Sequence, residues 1–392
     1  MGRMKEASLG GGRLGFATSA AFSNAVTVVQ IQRPLRQCEA AGARTAVRRT
    51  ADKRRCVLAA IDSVGVGSDG RDPEPLKPEA TEKREKKEWM SVYKKMQRRT
   101  ITGCIMGVIV TTWIMSGTLP FALGMVVFSV LGQLEYYRMV QAKGHNPSVK
   151  MGLLSTTLII MAAYLTPRHA DAMLPICGTI TTCYLLLRRK KVASIADIAT
   201  TLLGIFYTGY CPSFYVRLHG FDFGGAEFSY LGRSIRAIWP SWLPSAVIRT
   251  GTITTYWTFL SEVTADCGAF FVGRAFGRTP LSEISPKKTI EGAMGGFVCS
   301  MLVSMLGAGL LQWPMWYITG LMYGLIVGVM GLLGDLTASL FKRDAGFKDS
   351  GDILPGHGGI LDRTDSYTFV APLVYFFVSL VIPLFARAAG IV

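Results

Sequence analysis

A series of long apolar runs is the feature that most limits how this chain can fold. Nine runs are each close to the length that an α-helix needs to cross a lipid bilayer. Half of the residues are apolar, and the mean hydropathy is positive although the net charge is +16. These observations predict an all-α polytopic integral membrane protein with about nine transmembrane helices, at residues 101–117, 119–139, 151–166, 171–187, 193–215, 251–272, 291–312, 315–341 and 367–387.

The chain before the first apolar run has a different composition. Residues 1–60 contain eleven Lys and Arg against three Asp and Glu, and they lack the apolar centre of a secretory signal peptide. This composition predicts an organelle transit peptide, with a plastid favoured over a mitochondrion or the endoplasmic reticulum. A disordered cytosolic tail is the alternative. The predicted organisation therefore has four parts. Residues 1–60 form a transit peptide, and residues 61–100 form a linker with an amphipathic surface helix. Residues 101–250 form N-terminal transmembrane helices with an interfacial loop, and residues 251–392 form a C-terminal transmembrane catalytic region.

Basic residues in the loops predict how the chain is oriented. They follow the second, fourth, sixth and eighth apolar runs, so an N-terminus on the inside places all of these loops on the inner face. Loops 273–290 and 342–366 then share one face. The span count places loop 216–250 on the other face, but its four arginines favour the inner face, so the side of this loop is left open. Because the positive charge is confined to the leader and to short loops, no nucleic-acid partner is expected. The eight cysteines have no C-x-x-C spacing, which argues against a disulfide framework or a zinc site.

The segment between the last two runs carries most of the chemistry. Residues 334–366 combine six aspartates with interleaved lysines, arginines and glycines. Carboxylates bind Mg²⁺, which also binds substrate phosphates, and Lys and Arg stabilise phosphate charge. Asp335, Ser339 and Lys342 are spaced to share one helix face, and a carboxylate within a span is expected to be functional. Gly358 and Gly359 allow the backbone to approach a ligand closely. The segment thus predicts a metal and phosphate site at the inner face.

Two motif blocks resemble those of the phosphatidate cytidylyltransferases, the CDP-diacylglycerol synthases. The resemblance covers roughly residues 95–390 and is most specific at 262–296 and 334–366. The second block matches the family signature at Ser339, Lys342, Arg343, Lys348, Asp349, His357, Gly358, Gly359, Asp362, Arg363 and Asp365. The first block is similar to D-x-x-A-Y-x-x-G-x-x-x-G followed by S-P-x-K-T-x-E-G, with Phe270 in place of Tyr. Its matching positions include Asp266, Gly273, Gly277, Ser285, Lys288, Glu291 and Gly292, and Lys287 stands at the variable position before Lys288. Glu135-Tyr136, at the end of the second run, also resembles the family.

The resemblance implies which residues act. Asp335 and Asp362 would hold the metal ions, and Asp365 would either join them or cap the next helix. His357 would bind phosphate or anchor its loop, because an anionic phosphate monoester needs no general base. Asp266 and Glu291 would orient the lysines or bind metal. The implied catalytic residues are Asp335, Lys342, Arg343, Lys348, Asp349, His357, Asp362 and Arg363. The implied substrate-binding residues are Asp266, Ser285, Lys287, Lys288, Ser339, Gly358 and Gly359.

The implied reaction joins CTP and phosphatidate to give CDP-diacylglycerol and pyrophosphate. Mg²⁺ is the implied cofactor, and a second, monovalent cation is left open. The implied partners are CTP, phosphatidate and membrane lipid, with a homodimer left open. One alternative is a CTP-dependent lipid-alcohol kinase of the phytol or dolichol type, which the complete H-G-G-x-x-D-R-x-D block disfavours. The other is an ion-coupled transporter, whose acids would be spread through the bundle midplane rather than gathered at one face.

Overall fold

The computed structural model describes residues 103, 105–187, 192–222, 233, 234, 237, 249–351 and 358–390. All regular elements in these ranges are helical, and no β-strand occurs among them. The all-α prediction is therefore confirmed. The predicted transit peptide, linker and amphipathic surface helix lie outside the described residues, as do His357 and most of loop 216–250.

The described helices follow one another with short connections. We label them α1 to α11, with two π-helical segments called π1 and π2. They are α1 Ile105–Ile114, α2 Thr118–Ala142, α3 Val149–Leu165, α4 Ala170–Leu187, α5 Ile195–Gly204, π1 Ile205–Tyr210, α6 Cys211–His219, α7 Thr250–Phe276, α8 Ile290–Leu310, α9 Trp316–Asp344, α10 Leu361–Phe376, π2 Phe377–Val381 and α11 Ile382–Ala388. The elements α5, π1 and α6 run without a break, and so do α10, π2 and α11.

Every predicted apolar run overlaps a helix of the described part of the chain. Five helical stretches are long and apolar enough to cross a membrane by length and composition: α2, α4, α8, α9 and the continuous stretch Leu361–Ala388. Large apolar side chains such as Leu187, Phe271 and Leu306 are more than half exposed, as expected for side chains that face lipid. The chain is therefore a membrane protein, and the count of nine spans stays a prediction.

The last predicted run starts too late in the sequence. It was expected at residue 367, but α10 begins at Leu361, so the polar residues of the second motif block are already helical. The physical reason is that the carboxylate of Glu135, on α2, accepts hydrogen bonds from the amides of Ile360 and Leu361. These are N–H groups for which a helix has no internal acceptor. A helix start that is satisfied from a distant element cannot be located from hydropathy.

Helices α7 to α10 pack against one another in chain order and form the site-bearing half. Small residues let their backbones approach closely, as is common between membrane helices. A Cβ atom on Gly296 of α8 would lie 2.7 Å from the Ala265 carbonyl oxygen of α7. One on Gly324 of α9 would lie 2.6 Å from the Ser300 carbonyl oxygen of α8. This packing brings the loop between α7 and α8 to the same end as the loop between α9 and α10.

Candidate active site

The loop between α7 and α8 is a compact turn that carries the lysines of the first block. Its two arms meet where the Leu281 amide donates to the Lys288 carbonyl at 2.8 Å and the Ile290 amide donates to Thr279 at 3.0 Å. The carboxylate of Glu291, in the first turn of α8, accepts from the Arg278 amide at 3.1 Å and from the Thr279 hydroxyl at 3.0 Å. Glu291 therefore orients this loop, which is one of the two roles that the sequence left open for it.

Lys288 joins the two motif blocks. Its ammonium group forms an ion pair with Oδ2 of Asp335, which lies on α9. About a third of the Lys288 side chain and a quarter of the Asp335 side chain remain exposed, so a ligand can reach both. Asp266, on α7, is exposed and interacts electrostatically with Lys288. Residues that are about fifty positions apart in the sequence thus form one site.

Asp365 lies beside Asp335. It is buried in the first half of α10, and its carboxyl group interacts electrostatically with that of Asp335. Because Asp365 lies beyond the first turn of α10, it does not cap this helix, and its role as a metal ligand stays a prediction. No group of three or more His, Cys, Asp or Glu side chains with metal-site geometry occurs in the described ranges. Two adjacent carboxylates nevertheless fit Mg²⁺, which commonly uses one or two protein carboxylates together with water and substrate phosphates.

Asp362 is bound on both of its carboxylate oxygens. Oδ1 accepts from the Lys342 ammonium at 2.5 Å. Oδ2 accepts from the backbone amides of Ser350 at 2.8 Å and Gly359 at 3.1 Å. The Lys342 ammonium therefore already pairs with the charge that a metal cation would bind. The metal role of Asp362 stays a prediction.

Glu135 forms the floor beneath this arrangement. It is almost completely buried on α2, and its two carboxylate oxygens accept from the amides of Ile360 at 3.0 Å and Leu361 at 2.9 Å. The Ser350 hydroxyl lies between two carboxylates, 2.7 Å from Glu135 Oε2 and 3.0 Å from Asp362 Oδ2. A Cβ atom on Gly359 would overlap both the Ser350 hydroxyl and the Glu135 carboxylate. Glycine is therefore required where the second block folds over Glu135.

Comparison with known proteins identifies the family. The profile described as "Cytidylyltransferase family" matches residues 97–381, which include both motif blocks. The chain belongs to the cytidylyltransferase family. It is therefore a nucleotidyltransferase enzyme of the membrane, and the family prediction made from the two motif blocks is confirmed.

Several curated relatives of this chain are named phosphatidate cytidylyltransferase. A Synechocystis protein named phosphatidate cytidylyltransferase is 49% identical over 263 residues, 67% of this chain and 88% of the relative. A chloroplastic phosphatidate cytidylyltransferase of Arabidopsis thaliana is 33% identical over 293 residues, 72% of this chain and 73% of the relative. A phosphatidate cytidylyltransferase of Bacillus subtilis is 30% identical over 290 residues, 73% of this chain and 98% of the relative.

The other predicted residues of this cytidylyltransferase surround the same site. Ser339 lies on α9, one turn after Asp335, and is partly exposed. The Ser285 carbonyl accepts from the Lys288 amide at 3.0 Å, so Ser285 shapes the lysine turn. Gly358 has a φ of 80°, a backbone conformation that residues with a side chain rarely adopt. It precedes Gly359, whose amide donates to Asp362. The remaining charged residues are exposed near these elements: Lys287, Arg343, Lys348, Asp349 and Arg363.

Tyr207 is a site neighbour that the sequence did not indicate. The π1 segment inserts an extra residue per turn, and π-helical turns are frequent at functional sites. The Tyr207 hydroxyl lies 3.4 Å from the carbonyl oxygen of Gly334, the residue before Asp335. Its ring packs edge-on against Phe341 of α9 and Phe369 of α10. Tyr207 therefore supports the two helices that carry the acids, and a tyrosine within an apolar run gives no sign of this.

Replacing Glu135 by Ala is expected to destabilise the protein. The change leaves the Ile360 and Leu361 amides without an acceptor, and each such group costs about 1–3 kcal/mol. It also removes one of the two acceptors of the Ser350 hydroxyl. We expect a lower unfolding temperature in detergent and a smaller loss for Glu135→Gln, which keeps one acceptor oxygen. Glu283→Ala, at an exposed position of the lysine loop, is the control and should leave the unfolding temperature unchanged. An unaltered unfolding temperature in Glu135→Ala would mean that this carboxylate does not hold α10 in place.

Proposed function

We propose that this chain catalyses the reaction of CTP with phosphatidate to form CDP-diacylglycerol and pyrophosphate. The observation that carries the proposal is the ion pair between Lys288 and Asp335, because it unites the two motif blocks into one site beside Asp365. The curated names of the relatives from Synechocystis, Arabidopsis and Bacillus support the same activity.

The proposed chemistry is a displacement at the α-phosphorus of CTP. A phosphate oxygen of phosphatidate forms the new P–O bond, and the bond from the α-phosphorus to the α–β bridging oxygen breaks. Pyrophosphate leaves with the electron pair, and no proton has to be removed from the anionic nucleophile. The site must therefore align the two phosphates and stabilise the charge on the departing group. Lys288 and Lys342 are positioned for this, and Arg343 and Lys348 are exposed nearby.

The acid pair is the place where Mg²⁺ would be held. Asp335 and Asp365 would provide carboxylate ligands, and Asp362 would join them once Lys342 leaves its Oδ1. When bound, Mg²⁺ neutralises phosphate charge and helps to align the triphosphate. Lys342, once released from Asp362, would be available to the triphosphate. The acids around Lys288 outnumber it, so a second, monovalent cation can be accommodated as well.

The arrangement of the site also suggests how substrates reach it. Lys288 and Asp335 are open at the end of the bundle where the two inner loops meet, so CTP would enter from the aqueous phase. Phosphatidate would arrive laterally from the membrane, between helices. The chloroplastic Arabidopsis relatives and the cyanobacterial relative support a plastid membrane as the location of this chain.

Product analysis tests the proposal and separates it from its alternatives. Purified protein in detergent–lipid micelles would be given CTP, Mg²⁺ and either phosphatidate or a long-chain lipid alcohol. We expect pyrophosphate and CDP-diacylglycerol in equal amounts with phosphatidate, and no turnover after chelation of Mg²⁺. Formation of CDP with the alcohol would identify a lipid-alcohol kinase instead. Absence of any turnover by folded protein would contradict an enzymatic role for this site.

A further inference from the structure

Glu262 is a buried acid to which neither the motif resemblance nor the reaction assigns a role. It lies on α7, one turn before Asp266, and its side chain is 1% exposed. Its Oε2 atom has no hydrogen-bond partner among the residues that the structure describes. An unpaired carboxyl group is costly to bury, so its presence needs a compensating interaction.

The position of Glu262 directs it towards the acid pair. A Cβ atom on Gly331 of α9 would overlap Glu262 Oε1, so the carboxyl group packs directly against that turn of α9. Asp335 is four residues after Gly331 and therefore lies on the same helix face, one turn nearer the open end. Asp266 is related to Glu262 in the same way on α7. Two turns of α7 thus face two turns of α9. Glu262 lies in the turn that is farther from the open end of the bundle.

The charges around Glu262 do not balance within the protein. Glu262 interacts electrostatically with Asp266, Asp335 and Asp365, all acidic, and with Lys288 as the cationic neighbour. In a low-dielectric interior such like-charge contacts are strongly unfavourable unless a cation is present or the carboxyl group takes up a proton. Gly331 leaves room for the carboxyl group at this depth, since any larger residue would displace it.

We propose that Glu262 supports the cation site of Asp335 and Asp365 with a third negative charge, acting through water rather than as a direct ligand. Glu262 then lies on the buried side of the cation site, and its charge strengthens the binding of a divalent cation before any nucleotide is present. The proposal rests on the Mg²⁺ requirement proposed above, but it concerns a residue that lies outside the known signature positions of the two motif blocks.

The test is a titration of purified protein with Mn²⁺, followed by electron paramagnetic resonance without nucleotide or phosphatidate. Glu262→Gln keeps the size of the side chain and removes its charge. We expect it to weaken Mn²⁺ binding by about 10-fold or more, the usual effect of a residue that supports metal ligands. Glu283→Gln makes the same change at an exposed position of the lysine loop and should keep the wild-type affinity. Equal affinity of Glu262→Gln and wild type would overturn the proposal.

Thermal unfolding separates this role from a purely structural one. In the presence of a chelator, Glu262→Gln should unfold at the same temperature as wild type or higher, because a buried like charge is removed. Added Mg²⁺ should then raise its unfolding temperature less than that of wild type. A lower unfolding temperature in chelator together with an unchanged Mg²⁺ effect would show that Glu262 only supports packing, and would overturn the proposal.

Two further outcomes keep the test decisive. If Glu262→Gln does not fold, Glu262→Asp, which keeps the charge but shortens the side chain, should weaken Mn²⁺ binding by a smaller factor. Wild-type affinity in Glu262→Asp would then count against the proposal. If wild type itself binds no Mn²⁺, the proposed metal requirement fails and this inference fails with it. If wild type binds Mn²⁺ and the variants bind it equally well, only the role of Glu262 is wrong.

Discussion

Asp335→Asn is expected to abolish most of the cytidylyltransferase activity while the protein still inserts and folds. Asparagine has nearly the same shape, but it lacks the charge that pairs with Lys288 and that would bind Mg²⁺ beside Asp365. We expect kcat to fall by at least ~100-fold, because the lost interaction stabilises charge that develops in the transition state. The measurement is pyrophosphate release from CTP and phosphatidate over a range of Mg²⁺ concentrations.

The matched control for this change lies on the same helix. Asp344 is near the end of α9, where it forms an exposed ion pair with Lys143 at 3.1 Å. Because exposed ion pairs contribute little, Asp344→Asn should keep nearly full activity. Turnover close to wild type in Asp335→Asn would contradict the assignment of the site, whereas equal losses in both variants would point to a general effect on α9.

Lys288→Ala is expected to lower kcat/KM for CTP by at least ~10-fold, with the measured loss falling on CTP rather than on phosphatidate. The lysine is held over Asp335 by the turn that Glu291 fixes, so it presents its charge where a triphosphate would meet the acid pair. Charge-assisted contacts of this kind are about twice as strong as neutral hydrogen bonds. Lys150→Ala, at an exposed position near the start of α3, makes the same change outside the site and should be neutral.

A double-mutant cycle shows whether the two loops act on one nucleotide. Lys288 and Arg343 belong to different motif blocks, and groups that share a ligand couple by ~0.5–3 kcal/mol. We therefore expect the combined effect of Lys288→Ala and Arg343→Ala on kcat/KM to differ from the sum of the single effects. Strict additivity would mean that the two basic residues serve separate ligands.

The sequence predicted the helices well because each is marked by an apolar run of sufficient length. It also predicted that the two basic loops would share a face, and the ion pair of Lys288 with Asp335 brings them together. It could not predict that Lys342 would form an ion pair with Asp362. A signature records which residues are present, but not which of them pair in the absence of substrate. The predicted start of α10 was wrong for a related reason. The first amides of this helix donate to Glu135, which lies more than 220 positions away along the chain.

The sequence marked Glu135 only as a point of family resemblance, and the contacts that Glu135 and Tyr207 make could not be predicted for another physical reason. A single acid near the end of an apolar run, or a tyrosine within one, is compatible with many packings. Only the folded chain shows that Glu135 lies under Gly359 and that Tyr207 meets the turn before Asp335. Glu262 belongs with them, because its importance depends on the glycine that faces it from α9.

The contact of Glu135 with α10 changes what can be regarded as the catalytic part of this enzyme. A fragment that began at α7 would contain every residue of both motif blocks, yet it would have no acceptor for the Ile360 and Leu361 amides. It would also lack the Tyr207 hydroxyl beside Gly334. The helices before residue 250 are therefore part of the catalytic framework. The predicted boundary near residue 250 separates two segments of the sequence that are both needed to form the site. Substitutions in α2 or π1 should consequently appear as catalytic defects even though both segments lie outside the two motif blocks.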